Sequence, residues 1–174
     1  GAHVPFVSPD GRWVGFWAAG ELRKVPIEGG APVTIGPLPS SLGPNGASWG
    51  ANDIIVVGDD TSSRLMKVEA NGGTPSPIGP ISGGADHQDV TPFVLPSGTR
   101  VLYAQVSVRD ATASRLMVQD IAGGEPRVVI EQASDGRLLP NGDLVFLRLG
   151  TLMVAPFDAA QARVTGEARA GMQG

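Results

Sequence analysis

The sequence has no cysteine, few aromatic residues and no basic stretch. The absence of cysteine excludes disulfide bonds, thiol catalysis and cysteine-ligated zinc. Thirteen Lys and Arg residues are scattered among seventeen acidic ones, and without a basic stripe we expect no nucleic-acid partner. No apolar run approaches the ~18 residues that a membrane span needs, so we expect no membrane span in this chain.

The chain contains four related segments instead. They read LRKVPIEGG (22–30), LMKVEANGG (65–73), LMVQDIAGG (116–124) and LMVAPFDAA (152–160). Each follows a turn and an apolar run, and the turn residues recur at intervals of 42, 45 and 44 residues. Three segments close on Gly-Gly, which favours a tight hairpin, and the fourth, with Asp-Ala-Ala, is expected to turn less tightly. The chain is therefore an internal repeat.

The repeat length and its contents favour strands over helices. No segment keeps a period of 3.6 residues, whereas each unit holds four short β-type stretches, in the first unit at about 4–8, 12–18, 21–27 and 32–35. Four strands per ~43 residues is typical of a propeller blade. We predict an all-β fold, a β-propeller with four blades of four antiparallel strands. Residues 1–174 form a single propeller unit in this prediction, with blades at about 4–35, 46–78, 90–130 and 135–167.

Four blades leave the question of how the ring closes. An open half-ring is expected to expose the terminal blades on some side, and with them several aromatic residues. These are Trp13, Phe16, Trp17, Phe146 and Phe157. Three arrangements would cover such faces: a compact four-bladed ring, two chains forming an eight-bladed ring, or further blades outside this chain. We favour a homo-oligomer in which two chains join head to tail.

The stretch PFVSPDGRWVGFWAAGELRKVPIEGGAPV resembles the repeat units of TolB-like, WD-repeat-like β-propellers. It is similar above all to propellers fused to bacterial serine/threonine kinases and to some peptidases, and the resemblance covers about residues 4–167. It implies a secreted, periplasmic or outward-facing bacterial module that contacts other molecules. It carries over no catalytic residue, because the shared motif consists of turn chemistry and packing.

Candidate binding residues fall in the longer connections. In a propeller these lie on one face, here at about 36–47, 58–64, 79–91, 105–115 and 131–136, and long polar loops on a rigid scaffold commonly carry function. The sequence therefore predicts a ligand-binding surface from the ionisable residues of these loops. They are Asp59, Asp60, Asp86, His87, Asp89, Arg109 and Asp110.

Metal, cofactor and structural roles compete for the same residues. The segment from Asp86 to Asp89 has metal-compatible side chains, but only His87 suits a transition metal, and a site needs ligands from several segments. A structural role for His87, with a hydrogen bond to backbone, is favoured. Asp59 and Asp60 have the side chains for calcium but are more typical of a solvated hairpin tip. We predict no metal site and no cofactor.

Catalysis finds no support in the motifs. The sequence has no Gly-x-Ser-x-Gly motif, and adjacent Asp59 and Asp60 point to opposite faces if the chain is extended there. We predict that the chain has no catalytic residues and is not an enzyme. The expected function is a scaffold for protein binding or sensing within a larger bacterial receptor or secreted assembly. The alternatives are the gating propeller of a peptidase whose catalytic domain lies elsewhere and a small-ligand or sugar-binding propeller.

Overall fold

The computed structural model describes residues 1–40, 43–80 and 86–171 and consists of four antiparallel sheets. Sheet 1 contains β1 (His3–Val7), β2 (Trp13–Ala18), β3 (Glu21–Pro26) and β4 (Val33–Pro37). Sheet 2 contains β5 (Ala47–Trp49), β6 (Ile54–Asp59), β7 (Arg64–Glu69) and β8 (Ser76–Pro77). Sheet 3 contains β9 (His87–Val94), β10 (Arg100–Ser107), β11 (Arg115–Asp120) and β12 (Arg127–Glu131). Sheet 4 contains β13 (Ser134–Leu138), β14 (Asp143–Arg148), β15 (Thr151–Asp158), β16 (Arg163–Val164) and β17 (Arg169–Ala170).

Within each sheet the strands are adjacent in chain order, and every pairing is antiparallel. In sheet 4 the fourth position is shared, because β16 pairs with the end of β15 and β17 with its middle. The only helix in the described ranges is a 3₁₀ turn at Ala111–Ala113, and none there is long and apolar enough to cross a membrane. The predicted propeller of four-stranded antiparallel blades is confirmed.

Short turns join the first strand of each sheet to the second, and side-chain hydrogen bonds stabilise these turns. In the first unit the Ser8 hydroxyl donates to Asp10 Oδ1 at 2.6 Å, and the Trp13 amide donates to Ser8 Oγ at 2.9 Å. The Gly-Gly connections each take six residues, 27–32, 70–75 and 121–126. The fourth takes only 159–162, because Asp158 Oδ1 accepts the Gln161 amide at 2.9 Å. The expectation of a less tight fourth turn was wrong.

One residue in the left-handed region lies within the first strand of sheets 1, 3 and 4 and directly before the first strand of sheet 2. Three of them are not glycine: Val4, Thr91 and Asp135 have φ of 52°, 50° and 54°, and Gly46, with φ of 98°, takes the matching place before β5. The strand register shifts at the three non-glycine positions. A positive φ is strained for the β-branched Val4 and Thr91. The repeat therefore includes a bulge in its first strand that the residue types at this position do not predict.

Three apolar clusters hold the sheets together, and each lies between consecutive sheets: 1 and 2, 2 and 3, and 3 and 4. No such cluster joins sheets 1 and 4 in the part of the chain that the structure describes. Trp17, Phe146 and Phe157 are buried in these clusters, and Trp13 packs on the first. The expectation that terminal blades expose all five aromatic residues was therefore wrong, and of these only Phe16 lies on an uncovered face.

Candidate functional site

Asp59 lies at the tip of the hairpin between β6 and β7, where its carboxylate organises the turn. Oδ1 accepts the Thr61 amide and hydroxyl at 3.3 and 2.8 Å, and Oδ2 accepts the amide and hydroxyl of Ser62. Burial raises the pKa of Asp59, but these hydrogen bonds outweigh it and hold the pKa below its ordinary value. Asp59 is buried rather than solvated, and both of its oxygens are used inside the turn.

The Asp59 turn yields the first testable prediction. Asp59→Asn is expected to lower the free energy of unfolding by about 1–3 kcal/mol at neutral pH, since an amide nitrogen would face two donors of Ser62. Because the folded pKa is depressed, the carboxylate stabilises the fold above its unfolded pKa, and this contribution is lost as the pH falls through the folded pKa. Urea unfolding at pH 7 and pH 3 should show the difference shrinking in acid. Asp110→Asn, an exposed counterpart, is the control and should change stability less.

The hairpin tip that carries Asp59 and Asp60 rests on the start of β9. The Asp89 amide donates to the Ser63 carbonyl at 3.3 Å, which brings the tip beside the segment from Asp86 to Asp89. Asp60 Oδ1 is buried without a hydrogen-bond partner, and Arg64 reaches across to the Gly79 carbonyl at 2.6 Å. Sheets 2 and 3 thus meet at their long-loop ends through polar groups.

Asp86, His87 and Arg109 lie at the ends of β9 and β10. Arg109 Nη2 forms an exposed ion pair with Asp86 Oδ1 at 3.0 Å, and His87 pairs with Ser107 across the strands. His87 Nδ1 is buried and makes no hydrogen bond, so this nitrogen does not make the backbone contact favoured above. No group of three metal-ligating side chains occurs in the ranges described.

Asp110 caps the 3₁₀ turn at the tip of the β10–β11 connection. Its Oδ1 accepts the Thr112 hydroxyl at 2.7 Å and the Thr112 amide at 2.8 Å, and these bonds lower the pKa of Asp110. The Ser107 hydroxyl oxygen accepts the Arg109 and Asp110 amides. The structure therefore brings six of the seven predicted residues to the long-loop ends of sheets 2 and 3, with Asp110 on the adjacent tip, and their role in ligand binding stays a prediction.

A buried polar row across sheet 3 was missed by the sequence reasoning. Asp89, Gln105 and Arg115 face each other on three successive strands. The Gln105 amide nitrogen donates to Asp89 Oδ1 at 3.2 Å, while its oxygen accepts from Arg115 at 3.0 and 2.9 Å. Gln105 has no exposed surface, so it links a carboxylate and a guanidinium inside the sheet. Strand register alone, once known, would have placed them together.

A groove of about 660 Å³ lies between sheets 2 and 3 at the opposite, short-turn end. Its walls come from the turns around Asn52, Gly72 and Thr99, and Lys67 crosses it to donate to the Ile121 carbonyl at 2.7 Å. The groove is therefore bridged by an inter-sheet contact. The sequence reasoning had placed candidate sites only on the long-loop face.

The two faces of each sheet have distinct roles, which we name by chain direction. The front face packs on the preceding sheet, and the rear face packs on the following sheet. Strand register gives the equivalent front-face residues of the four sheets, in order. They are Val7, Val14, Phe16, Arg23, Val25 and Ile27 in sheet 1; Trp49, Ile55, Val57, Met66, Val68 and Ala70 in sheet 2; Val94, Val101, Tyr103, Met117, Gln119 and Ile121 in sheet 3; Leu138, Leu144, Phe146, Met153, Ala155 and Phe157 in sheet 4.

The front face of sheet 1 keeps this apolar pattern, although none of the other sheets in the described ranges packs on it. Ile27 is 60% exposed, whereas its equivalents Ala70, Ile121 and Phe157 are 1%, 5% and 8% exposed. Val7 is 54% exposed, and the row Val7–Val14–Val25 is apolar across three strands. An uncovered apolar face of this kind is typical of an interaction surface.

Solved β-propeller structures share this fold at low sequence identity. Regucalcin from Agrobacterium tumefaciens, a calcium-binding protein, has a TM-score of 0.71 at 14% identity, over 97% of this chain and 58% of that one. TolB from Acinetobacter baumannii has 0.66 at 13%, over 95% and 44%. Puromycin hydrolase has 0.67 at 15%, over 97% and 32%. The chain thus spans between a third and three fifths of these proteins. No family model matches it, and no curated protein matches its sequence.

The prediction that the chain is not an enzyme is corrected by these comparisons. Puromycin hydrolase, virginiamycin B lyase and the luciferin-regenerating enzyme, at 15%, 11% and 10% identity, are enzymes on this fold. The absence of local motifs does not exclude an enzyme, because a fold does not determine function and active sites are built from separate segments. These likenesses concern the fold and transfer no activity to the chain.

Proposed function

We propose that the chain is a propeller segment that binds protein through the front face of sheet 1. The observation that carries this proposal is the match between that face and the three buried front faces. Burial of apolar surface is the main favourable term in protein association, and the apolar columns at Val14 and Phe16 are those by which sheets 2 to 4 dock on their neighbours.

The rim of this face is suited to a protein partner. Arg23 Nη2 pairs with Glu21 Oε2 at 2.8 Å, and Thr34 donates to the same oxygen at 3.2 Å. An apolar centre with a polar, half-exposed rim is the usual anatomy of a protein interface. The resemblance to TolB-like propellers adds a location outside the cytoplasm to the proposal, in a periplasmic or extracellular assembly.

The proposal is tested by the solution behaviour of the chain. Light scattering over a concentration series should show association above the 17.9 kDa of the monomer. Val25→Glu places a charge at one end of the valine row and should abolish association, since burying an unpaired carboxylate is costly. The matched control is Val108→Glu, at an exposed valine on the β10–β11 connection, which should leave association unchanged. A chain that stays monomeric at millimolar concentration, or a Val25→Glu variant that associates normally, would contradict the proposal.

A further inference from the structure

The rear face of every sheet carries one cation at a fixed position. The position is a directly opposed pair on the third and fourth strands, and in each pair one member is basic and the other is small or apolar. The pairs are Lys24 with Val33, Lys67 with Ser76, Val118 with Arg127, and Val154 with Arg169. The basic residue moves from the third strand to the fourth in the second half of the chain, but each sheet keeps one.

Three of these cations fasten their sheet to the next one. Lys24 Nζ donates to the Ala70 carbonyl at 2.8 Å, and Lys67 Nζ donates to the Ile121 carbonyl at 2.7 Å. Arg127 Nη2 donates to the Ala162 carbonyl at 2.8 Å. Each acceptor lies in the turn after the third strand of the following sheet. Hydrogen bonds from a charged donor are about twice as strong as neutral ones, so this position holds consecutive sheets in register.

Arg169, the fourth cation, is exposed and has no hydrogen bond or ion pair with any described residue. The apolar residue at the centre of the same rear face is also uncovered. Leu152 is 41% exposed, whereas its equivalents Leu22, Leu65 and Leu116 are at most 1% exposed. Val145, Leu147 and Val154 complete an apolar patch around it. Sheet 4 thus presents both parts of a sheet-to-sheet contact, and no other sheet in the described ranges packs on them.

We propose that this rear face docks on the front face of sheet 1 in a second copy of the chain, with Arg169 as the fastening cation. The inference rests on the proposed function and names its partner. The turn after β3 contains the exposed Ile27, equivalent to Ala70 and Ile121, followed by the exposed Glu28. The Ile27 carbonyl is the equivalent of the acceptor carbonyls of Ala70 and Ile121. Glu28 follows it directly, and its negative charge is complementary to the positive charge of Arg169.

A second copy fits better than a single closed ring. Sheets 1 and 4 share no apolar cluster in the described part of the chain, yet their free faces complement each other as consecutive sheets do. Two chains joined by two such contacts form a closed assembly that leaves neither face open. The interface is head to tail. The rear face of sheet 4 in one copy presents Arg169, and the turn after β3 beside the front face of sheet 1 in the other copy provides the acceptor.

Arg23 is the one charged residue in the front-face columns given above. It stands where the other three sheets have Met66, Met117 and Met153, and it would face the apolar patch around Leu152. Docking would partly bury its ion pair with Glu21, and the cost of removing the pair from water weakens the contact. Arg23→Met is therefore expected to tighten the dimer, by about tenfold for one charged group removed from an apolar contact.

The test is a charge swap measured by sedimentation of the full chain. Arg169→Glu and Glu28→Lys are each expected to weaken the dimer by about tenfold or more, because each places like charges together. The double variant reverses both charges and should recover most of the lost affinity. Arg109→Glu changes an exposed arginine on the long-loop face, where it pairs with Asp86, and is the control for a charge change away from the interface. Since Arg169 and Glu28 are exposed, the monomer should keep its melting temperature in every variant.

The outcomes separate this inference from the proposed function. If Val25→Glu abolishes the dimer but Arg169→Glu, Glu28→Lys and Arg23→Met leave it unchanged, the front face binds another surface and the inference is overturned. A front-to-front dimer, recognised by cross-links between Val25→Cys chains without cross-links from Leu152→Cys, overturns it as well. If the wild-type chain never associates, both proposals fail together.

Discussion

Replacing Phe146 by alanine is expected to lower the free energy of unfolding by about 3–5 kcal/mol. Phe146 has no exposed surface and lies in the cluster that joins sheets 3 and 4. The substitution would leave a cavity that the neighbouring strands cannot close, because they are tied to one another by their ladders. Chemical denaturation followed by Trp fluorescence measures the loss. A change below about 1 kcal/mol would show that sheets 3 and 4 are not packed as described.

Phe16 provides the matched control, since it occupies the same position in sheet 1. Its face is uncovered and its ring is only half buried. At low protein concentration Phe16→Ala is expected to cost less than about 1.5 kcal/mol, since little surface returns to water. At high concentration the loss of stability should grow, because the proposed dimer would cover the same ring. Equal costs for both phenylalanines in the monomer would contradict the assignment of an open front face.

Gly36→Ala is expected to produce the second large effect, a loss of about 3 kcal/mol. A Cβ at this position in β4 would collide with the carbonyl oxygen of Gly73, in the turn of the neighbouring sheet. The Gly73 amide donates to the Ile35 carbonyl at 3.0 Å, so the two backbones cannot separate without losing that bond. The expected result is a lower unfolding midpoint with sheet 1 loosened from sheet 2, which hydrogen exchange at the Gly73 amide would report.

The control for Gly36 is the same substitution at Gly136. There the added Cβ would meet the Leu116 side chain at 2.8 Å and the Leu102 side chain at 3.0 Å. The ends of leucine side chains can rotate away, whereas a carbonyl oxygen fixed in a turn cannot. Gly136→Ala should therefore cost less than about 1.5 kcal/mol. If both variants lose the same stability, the close approach of sheets 1 and 2 is not the cause.

The strands were predictable because each is specified locally. Apolar runs between turn residues placed the second and third strands of the first unit at about 12–18 and 21–27, close to the observed Trp13–Ala18 and Glu21–Pro26. The turns of the first unit carry their own hydrogen-bonding side chains, such as Ser8 and Asp10. Such signals act over a few residues, so they are readable without the fold.

The candidate site was predictable only in part. The sequence marked Asp59 as a loop residue, but burial and four hydrogen bonds to its own turn depend on how the hairpin closes. Asp89, Gln105 and Arg115 are sixteen and ten residues apart along the chain, and only strand register aligns them. The positive φ of Thr91 follows from the bulge, which β-branched residues do not favour by themselves.

The sequence by itself determined that the chain forms four similar antiparallel sheets, because repeat length, turn residues and strand patterns are local properties. In the sequence, Leu22, Leu65, Leu116 and Leu152 each open one of the four repeat segments, and nothing local distinguishes them. Only the tertiary structure decided that three of them are buried and that Leu152 is not. The physical reason is that burial depends on whether another sheet lies opposite, and that neighbour comes from a distant segment or from another chain. The same reason separates Arg169 from Lys24 and Lys67. All three are the basic member of a rear-face pair, but the two lysines find an acceptor on the next sheet and Arg169 finds none among the described residues.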